Sequence, residues 1–528
     1  MRDFDFPGRS AVHATNGAVA TSHPYASLAA LDVLRAGGGA VDAAIAAVAT
    51  LCVVEPHMTG IGGDCFVLYA PNGGDAVVGL NGSGRAPAAA SLETLREAGL
   101  SEIEVTSPHA VTLPGAVDAW CRLHERYGRR ELAELLAPAI GYARDGYPLH
   151  ARVASDWAEL APKLRRNAEA AADFLPGGLA PREGDLHRQP ALADTLERIA
   201  REGRSGFYEG PVAEAMVRSL RDLGGVHSLE DFAAVAGEWV TPIASDYRGH
   251  RVHQIPPNNQ GVVALAMLNI LEGYDLAGLA PLGALRTHLE IEAGRLAYDM
   301  RNRHLADGGS LEVPLERLLS KDWAGELRDK IDPEQAFAEI PDLGLATSDT
   351  VYVTVVDRDR NTVSFINSLF HGFGSGILCG EAGVMFHSRG ASFRLDPAHP
   401  NRLAPNKRPM HTIMPGLVTR DGRAEIGYGV MGGDYQPFGH ARLLTNLIDY
   451  AMDPQAGLDC PRVFALGQRV EVEKSLPGET LAGLQRRGHS LSLAGQALGG
   501  GQCIRIDHAR GLLTAGSDPR KDGCALGY

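Results

Sequence analysis

The chain has no excess of positive charge. Lys and Arg number 50 against 64 Asp and Glu, a formal net charge of −14. Nucleic acid and anionic membrane both require a basic face, so neither is expected as a partner. The richest basic tract, PKLRRN at 162–167, is short and reads as solvated surface. No CxxC pair occurs among the seven cysteines (Cys52, Cys65, Cys121, Cys379, Cys460, Cys503 and Cys524). Their wide spacing and odd number argue against a disulfide framework or a zinc site, and fit free thiols in a reducing cytoplasm. The opening MRDFDFPGRSAVHATNG contains no apolar core of a secretory signal. The apolar run 40–54 is too short to span a bilayer and carries Asp42, so a buried helix is expected there. These absences point to a cytoplasmic protein.

Heptads, short repeats and low-complexity tracts are also missing. What remains is ordinary globular composition, 45% hydrophobic and 22% charged, in 528 residues. The first half reads as helical. SLAALDVLRAGGGAVDAAIAAVATLCVVEP predicts two Ala-rich helices broken at Gly37 to Gly39, and ELAELLAPAIGYARDG a third that stops at Gly146. Pro, Gly and Arg cluster between Pro162 and Asp185, which predicts a surface loop. Helical patterns return in ALADTLERIAREG and LRTHLEIEAGRLAYDMRNRHLAD. After about residue 340 strands dominate. Val351 to Val356 and Thr362 to Ile366 are rich in β-branched residues around a polar turn, a hairpin pattern. HTIMPGLVTRDGRAEIGYGV turns at Asp421-Gly422, QCIRIDHARGLLTAGS follows, and one helix is expected at about 437–451. Sheets covered by helices on their outer faces satisfy this α/β inventory.

Most familiar motifs fail. His371, His387, His411 and His440 are scattered, with no HExxH, so no metal is expected. GFGSG at 372–376 places its serine one position too late for a nucleophile elbow. GYGVMG at 427–432 matches G-x-G-x-x-G, but Asp449 falls inside the expected helix and Pro437 leaves the glycines in a longer loop. No cofactor is therefore expected. Three glycine clusters remain, TGIGGD (59–64), GFGSG and MGGD (431–434). Glycines let backbone N–H groups converge on one spot, where they can stabilise an oxyanion.

Ordered blocks over nearly the whole length resemble the γ-glutamyltransferase family of N-terminal nucleophile hydrolases. They include GGGAVDAAIAAVATLCVVEPHMTGIGGDCFVL, HAVTLPGAVDAWCRLHERYG, YRGHRVHQIPPNNQGVVALAMLNILEG, DTVYVTVVDRDRNTVSFINSLFHGFGSGI, LAPNKRPMHTIMPGLV, GVMGGD and GSDPRKDGCALGY. The resemblance implies a four-layer αββα sandwich that cuts itself between Asp349 and Thr350. The products would be a large subunit, 1–349, and a small one, 350–528, forming one domain between them, with a dimer of heterodimers as a further expectation. It implies Thr350 as nucleophile, Gly432 and Gly433 as the oxyanion-hole pair, and Ser368 as the hydroxyl bonded to the nucleophile. A threonine hydroxyl needs a base within reach, and cleavage creates one, because a freed α-amine has a pKa near 7.7–8.0.

The residues that read a glutamyl group do not match. Ser83 stands where the family has an arginine, Phe370 replaces an asparagine, Ser392 replaces an aspartate, and His411 and Thr412 replace paired serines. Arg85, Arg389, His387, His411 and Thr412 are the candidate substrate contacts in their place, since a guanidinium binds a carboxylate bidentately. The expected reaction is cleavage of γ-glutamyl amides such as glutathione. Hydrolysis of a small anionic amide of the oxamate kind, or acylase activity, is the alternative, and an unprocessed scaffold the second.

Overall fold

The computed structural model describes residue 5, residues 8–339 and residues 349–528. Two seven-stranded antiparallel sheets form the centre. One runs in the order Val12–Ala14, Leu512–Ser517, Gly500–Asp507, Arg423–Met431, Gly416–Arg420, His250–Gln254, Ile243–Tyr247. The other runs Ala525–Gly527, Ala18–Ala20, Asp349–Val356, Thr362–Phe370, Asp64–Ala70, Val78–Gly82, Glu238–Val240. The predicted hairpin sits in the middle of this second sheet. Its strands are buried on both faces, which is why they read as continuous apolar runs rather than alternating ones.

Helices cover both outer faces. Ala40–Val54 lies across Asp349–Val356 and Thr362–Phe370, and every residue of it is buried. Its start is fixed by the Gly39 N–H donating to the Asp42 carboxylate at 2.8 Å. Gln436–Ile448 packs on Arg423–Met431, and Gly261–Leu271 and Ala284–His304 complete that layer. The result is an αββα sandwich, with one large core joining the first helical layer to the space between the sheets and a second core under the other helices.

Glycines set how closely the sheets approach. A Cβ on Gly427 would lie 2.5 Å from Thr354 Oγ1, and one on Gly429 would lie 2.4 Å from the Tyr352 ring. The first two glycines of the G-x-G-x-x-G match are therefore inside the strand Arg423–Met431, not in a loop before a helix as expected. They make room for the facing sheet. A Gly429→Ala variant is expected to lose about 1–3 kcal/mol of stability through overpacking, read as a lowered urea midpoint.

Two other expectations are corrected. Residues 162–175 are helical for the most part: Ala151–Leu164 runs through Pro162, and Ala168–Phe174 follows. Leu164 and Phe174 are buried, the latter against Trp157, so tertiary burial overrides the Pro and Gly signal and the irregular stretch lies beyond it. The last third also holds two helices besides Gln436–Ile448, namely Pro454–Asp459 and Gly478–Arg486. No described helix is long and apolar enough to cross a membrane.

Candidate active site

Thr350 lies near the start of the strand Asp349–Val356, at a break in its pairing. Asp349 pairs with Phe370 and Val351 with Asn367, so the register slips by one residue across Thr350. Such a bulge re-aims a side chain. The Thr350 hydroxyl is fully buried and 3.1 Å from the Ser368 hydroxyl, which accepts the Phe370 N–H at 2.8 Å. Side chains two apart on a strand share a face. Thr354 faces Gly427 and Tyr352 faces Gly429, so toward Thr350 the strand runs in the direction of the Met431 end of Arg423–Met431, which the turn at Gly432 and Gly433 follows. Those glycines have φ of 120° and 58°, left-handed values that a side chain would resist. Neither N–H donates to another described residue.

Beneath the hydroxyl pair lies a buried charge cluster. Asp64 pairs with Ser368 across adjacent strands, so their side chains share one face. Its Oδ1 accepts the Gly84 and Gly115 N–H groups at 2.9 and 3.1 Å, and its Oδ2 faces His411 Nε2 at 3.0 Å and His387 Nδ1 at 3.2 Å. Burial works to raise the Asp64 carboxyl, but the two imidazoles outweigh it and hold it well below the usual carboxylate range. Burial, aided by Arg389, pulls His411 down to about 3. His387 and His411 are both unexposed and support the floor rather than line it.

Arg389 is also wholly buried. It donates to Thr412 Oγ1 at 2.9 Å and lies 3.9 Å over the Phe370 ring. Phe370 and Thr412 line a cleft of about 820 Å³ with His371, Arg301 and Asp434. A neighbouring cleft holds Gly432, and the two share Lys163 and His371. Arg85 stands apart: it is bonded to Glu238 at 2.7 Å and to the Asn406 carbonyl at 3.0 Å, in a half-exposed network with Asp307. Ser83 is buried and bonded to Asn81.

Sequence reasoning singled out none of Asp64, Gln260, Arg301 and Asp434. Gln260 donates to the carbonyls of Thr412 and Gly433, and Arg301 bonds both Gln260 and Asp434, tying the glycine turn to the cleft wall. The polar run PNNQG ahead of an apolar helix was the available signal. Among the described residues, His288, Glu292 and His489 could together hold a metal ion. However, Arg295 already occupies Glu292 at 2.6 Å, and the imidazoles are bonded to each other at 2.7 Å.

Two packed antiparallel sheets between helical layers, with a hydroxyl residue heading a central strand, define the N-terminal nucleophile hydrolase fold. The chain belongs to the gamma-glutamyltranspeptidase family, whose model matches residues 26–528, and is an amide-bond hydrolase. It is 39% identical to the glutathione hydrolase-like YwrD proenzyme of Bacillus subtilis, over 97% of this chain and 98% of that one. It is 36% identical to the oxamate amidohydrolase proenzyme of Klebsiella pneumoniae, over 97% and 99%. Cephalosporin acylase from Bacillus halodurans is similar in structure, with a TM-score of 0.94 and 40% identity over 100% of this chain and 99% of the other.

Proposed function

We propose that this protein is a self-processing amide hydrolase in which Thr350 is the nucleophile for both maturation and turnover. The observation that carries the reading is the Thr350 hydroxyl, 3.1 Å from Ser368 at a bulge in the central strand. In maturation the Thr350 oxygen attacks the Asp349 carbonyl carbon. The peptide C–N bond breaks, the nitrogen takes the hydroxyl proton, and an ester joins Asp349 to Thr350. Water then hydrolyses that ester, leaving residues 1–349 and 350–528.

The new α-amine sits on the nucleophile's own residue and serves as its base. In turnover it accepts the hydroxyl proton as Thr350 attacks the substrate amide, and passes it to the leaving amine. The Gly432 and Gly433 N–H groups, which donate to no described residue, are suited to the oxyanion. Water releases the acid.

Glutathione cleavage is one substrate reading, supported by the name of the Bacillus subtilis relative. Hydrolysis of a small anionic amide is favoured by a specific observation: Ser83 and Phe370 occupy glutamyl-contact positions, while Arg85 is engaged by Glu238 at the surface. Purified protein should run as two chains, with the smaller starting at Thr350 by N-terminal sequencing. An intact chain in active material would refute the mechanism. Assaying γ-glutamyl anilide, glutathione and oxamate side by side would choose between the substrates, with oxamate expected to be turned over best.

A further inference from the structure

Seven arginines are buried among the described residues. Six of them are paired with a carboxylate: Arg286 and Arg442 with Glu290, Arg295 with Glu292, Arg301 with Asp434, Arg408 with Glu238 and Arg462 with Asp518. Arg389 is the exception. It has 0% exposure, no carboxylate within ion-pair distance among the described residues, and no partner for Nε or Nη2. Burying a guanidinium with two idle donors is costly unless an anion completes the site. Burial lowers Arg389 to about 9, with Asp64 and Asp434 opposing, so it stays charged at neutral pH.

Its position says where that anion belongs. The guanidinium backs onto Phe370 and Thr412, both at the wall of the cleft. Phe370 follows Ser368 by two residues on one strand, and its N–H bonds the Ser368 hydroxyl that contacts Thr350.

We propose that Arg389 is the specificity residue of the acyl site, binding a carboxylate borne by the acyl half of the substrate, so that the enzyme takes monoamides of short dicarboxylic acids. The inference rests on Thr350 being the nucleophile. The Phe370 ring covers the guanidinium until the carboxylate displaces it and engages Nε and Nη2 as a fork.

The test is Arg389→Met, which removes a charge without opening a large cavity, with melting temperature as the folding control. Succinyl and butyryl p-nitroanilides share a leaving group and differ in the carboxylate. Wild-type enzyme is expected to prefer the succinyl compound, and the variant to lose about 100-fold of that preference, mainly in KM, while still separating into two chains. Calorimetric titration with oxalate, succinate and butyrate gives a readout independent of turnover: the two diacids should bind the wild type and not the variant, and butyrate neither. Arg389→Lys should recover part of the diacid binding. An unchanged succinyl-to-butyryl ratio with unchanged diacid affinity overturns the assignment and leaves the Thr350 mechanism standing. A wild-type protein that never separates into two chains overturns both.

Discussion

Replacing Thr350 with alanine is expected to leave one intact chain and to reduce turnover by at least about 10⁴-fold. Both losses follow from a single atom. The hydroxyl is the only group on that side chain able to attack, and the register slip between Asp349 and Val351 sets it against Ser368 instead of in a regular ladder. Alanine fits the same buried space, so the fold should persist and the melting temperature should hold. Thr350→Ser restores the nucleophile and should recover two chains, more slowly, because serine lacks the methyl group that restricts χ1. Denaturing gels and intact mass read the first effect, and the anilide assay reads the second. Alanine protein that still separates at residue 350 would show that some other group performs the cut.

Replacing Asp64 with alanine should be nearly as damaging, but through the fold. Its carboxylate accepts two backbone N–H groups and faces two buried imidazoles. Removing one member of such a buried cluster costs about 3–5 kcal/mol, a large fraction of a typical total stability. The variant should accumulate poorly and resist maturation, and Asp64→Asn should be milder because it can still accept from Gly84 and Gly115.

The same cluster predicts an acid weakness, and its sign can be worked out. Burial lowers His411 in the folded state to about 3, so between about pH 6.5 and 3 the unfolded chain binds more protons. Stability should therefore fall as pH drops through that window. The depressed Asp64 carboxyl adds stability above its unfolded value near 3.9, and that contribution is lost as pH falls further toward its folded value. Urea midpoints from pH 8 to pH 4 should decline in the wild type. His411→Gln removes this imidazole and should flatten the decline.

Much of the fold was legible locally. The hairpin at 350–370, the Ala-rich helix pair and the Asp421-Gly422 turn follow from β-branching, helix-stop glycines and turn chemistry that act within a few residues. The misreadings share one cause. The Pro-rich stretch from 162 became helical because Leu164 and Phe174 found a core, and Gly427 and Gly429 entered a strand because another sheet needed the space. No local window contains the partner that makes either choice.

The site divides in the same way. Thr350, Ser368 and the Gly432-Gly433 pair could be named from ordered sequence blocks, because the chemistry demands a hydroxyl and flexible backbone at fixed places in the chain. What the sequence by itself determined was therefore the family, the layered architecture and the candidate nucleophile. Which charged residues are matched by a counter-charge and which are left with idle donors was decided only by the tertiary structure. Arg85 and Arg389 look alike as letters. One is half-exposed and matched by Glu238, and the other is sealed behind Phe370 with donors to spare. Whether a charge is satisfied depends on neighbours from distant parts of the chain, and only folding brings them within reach.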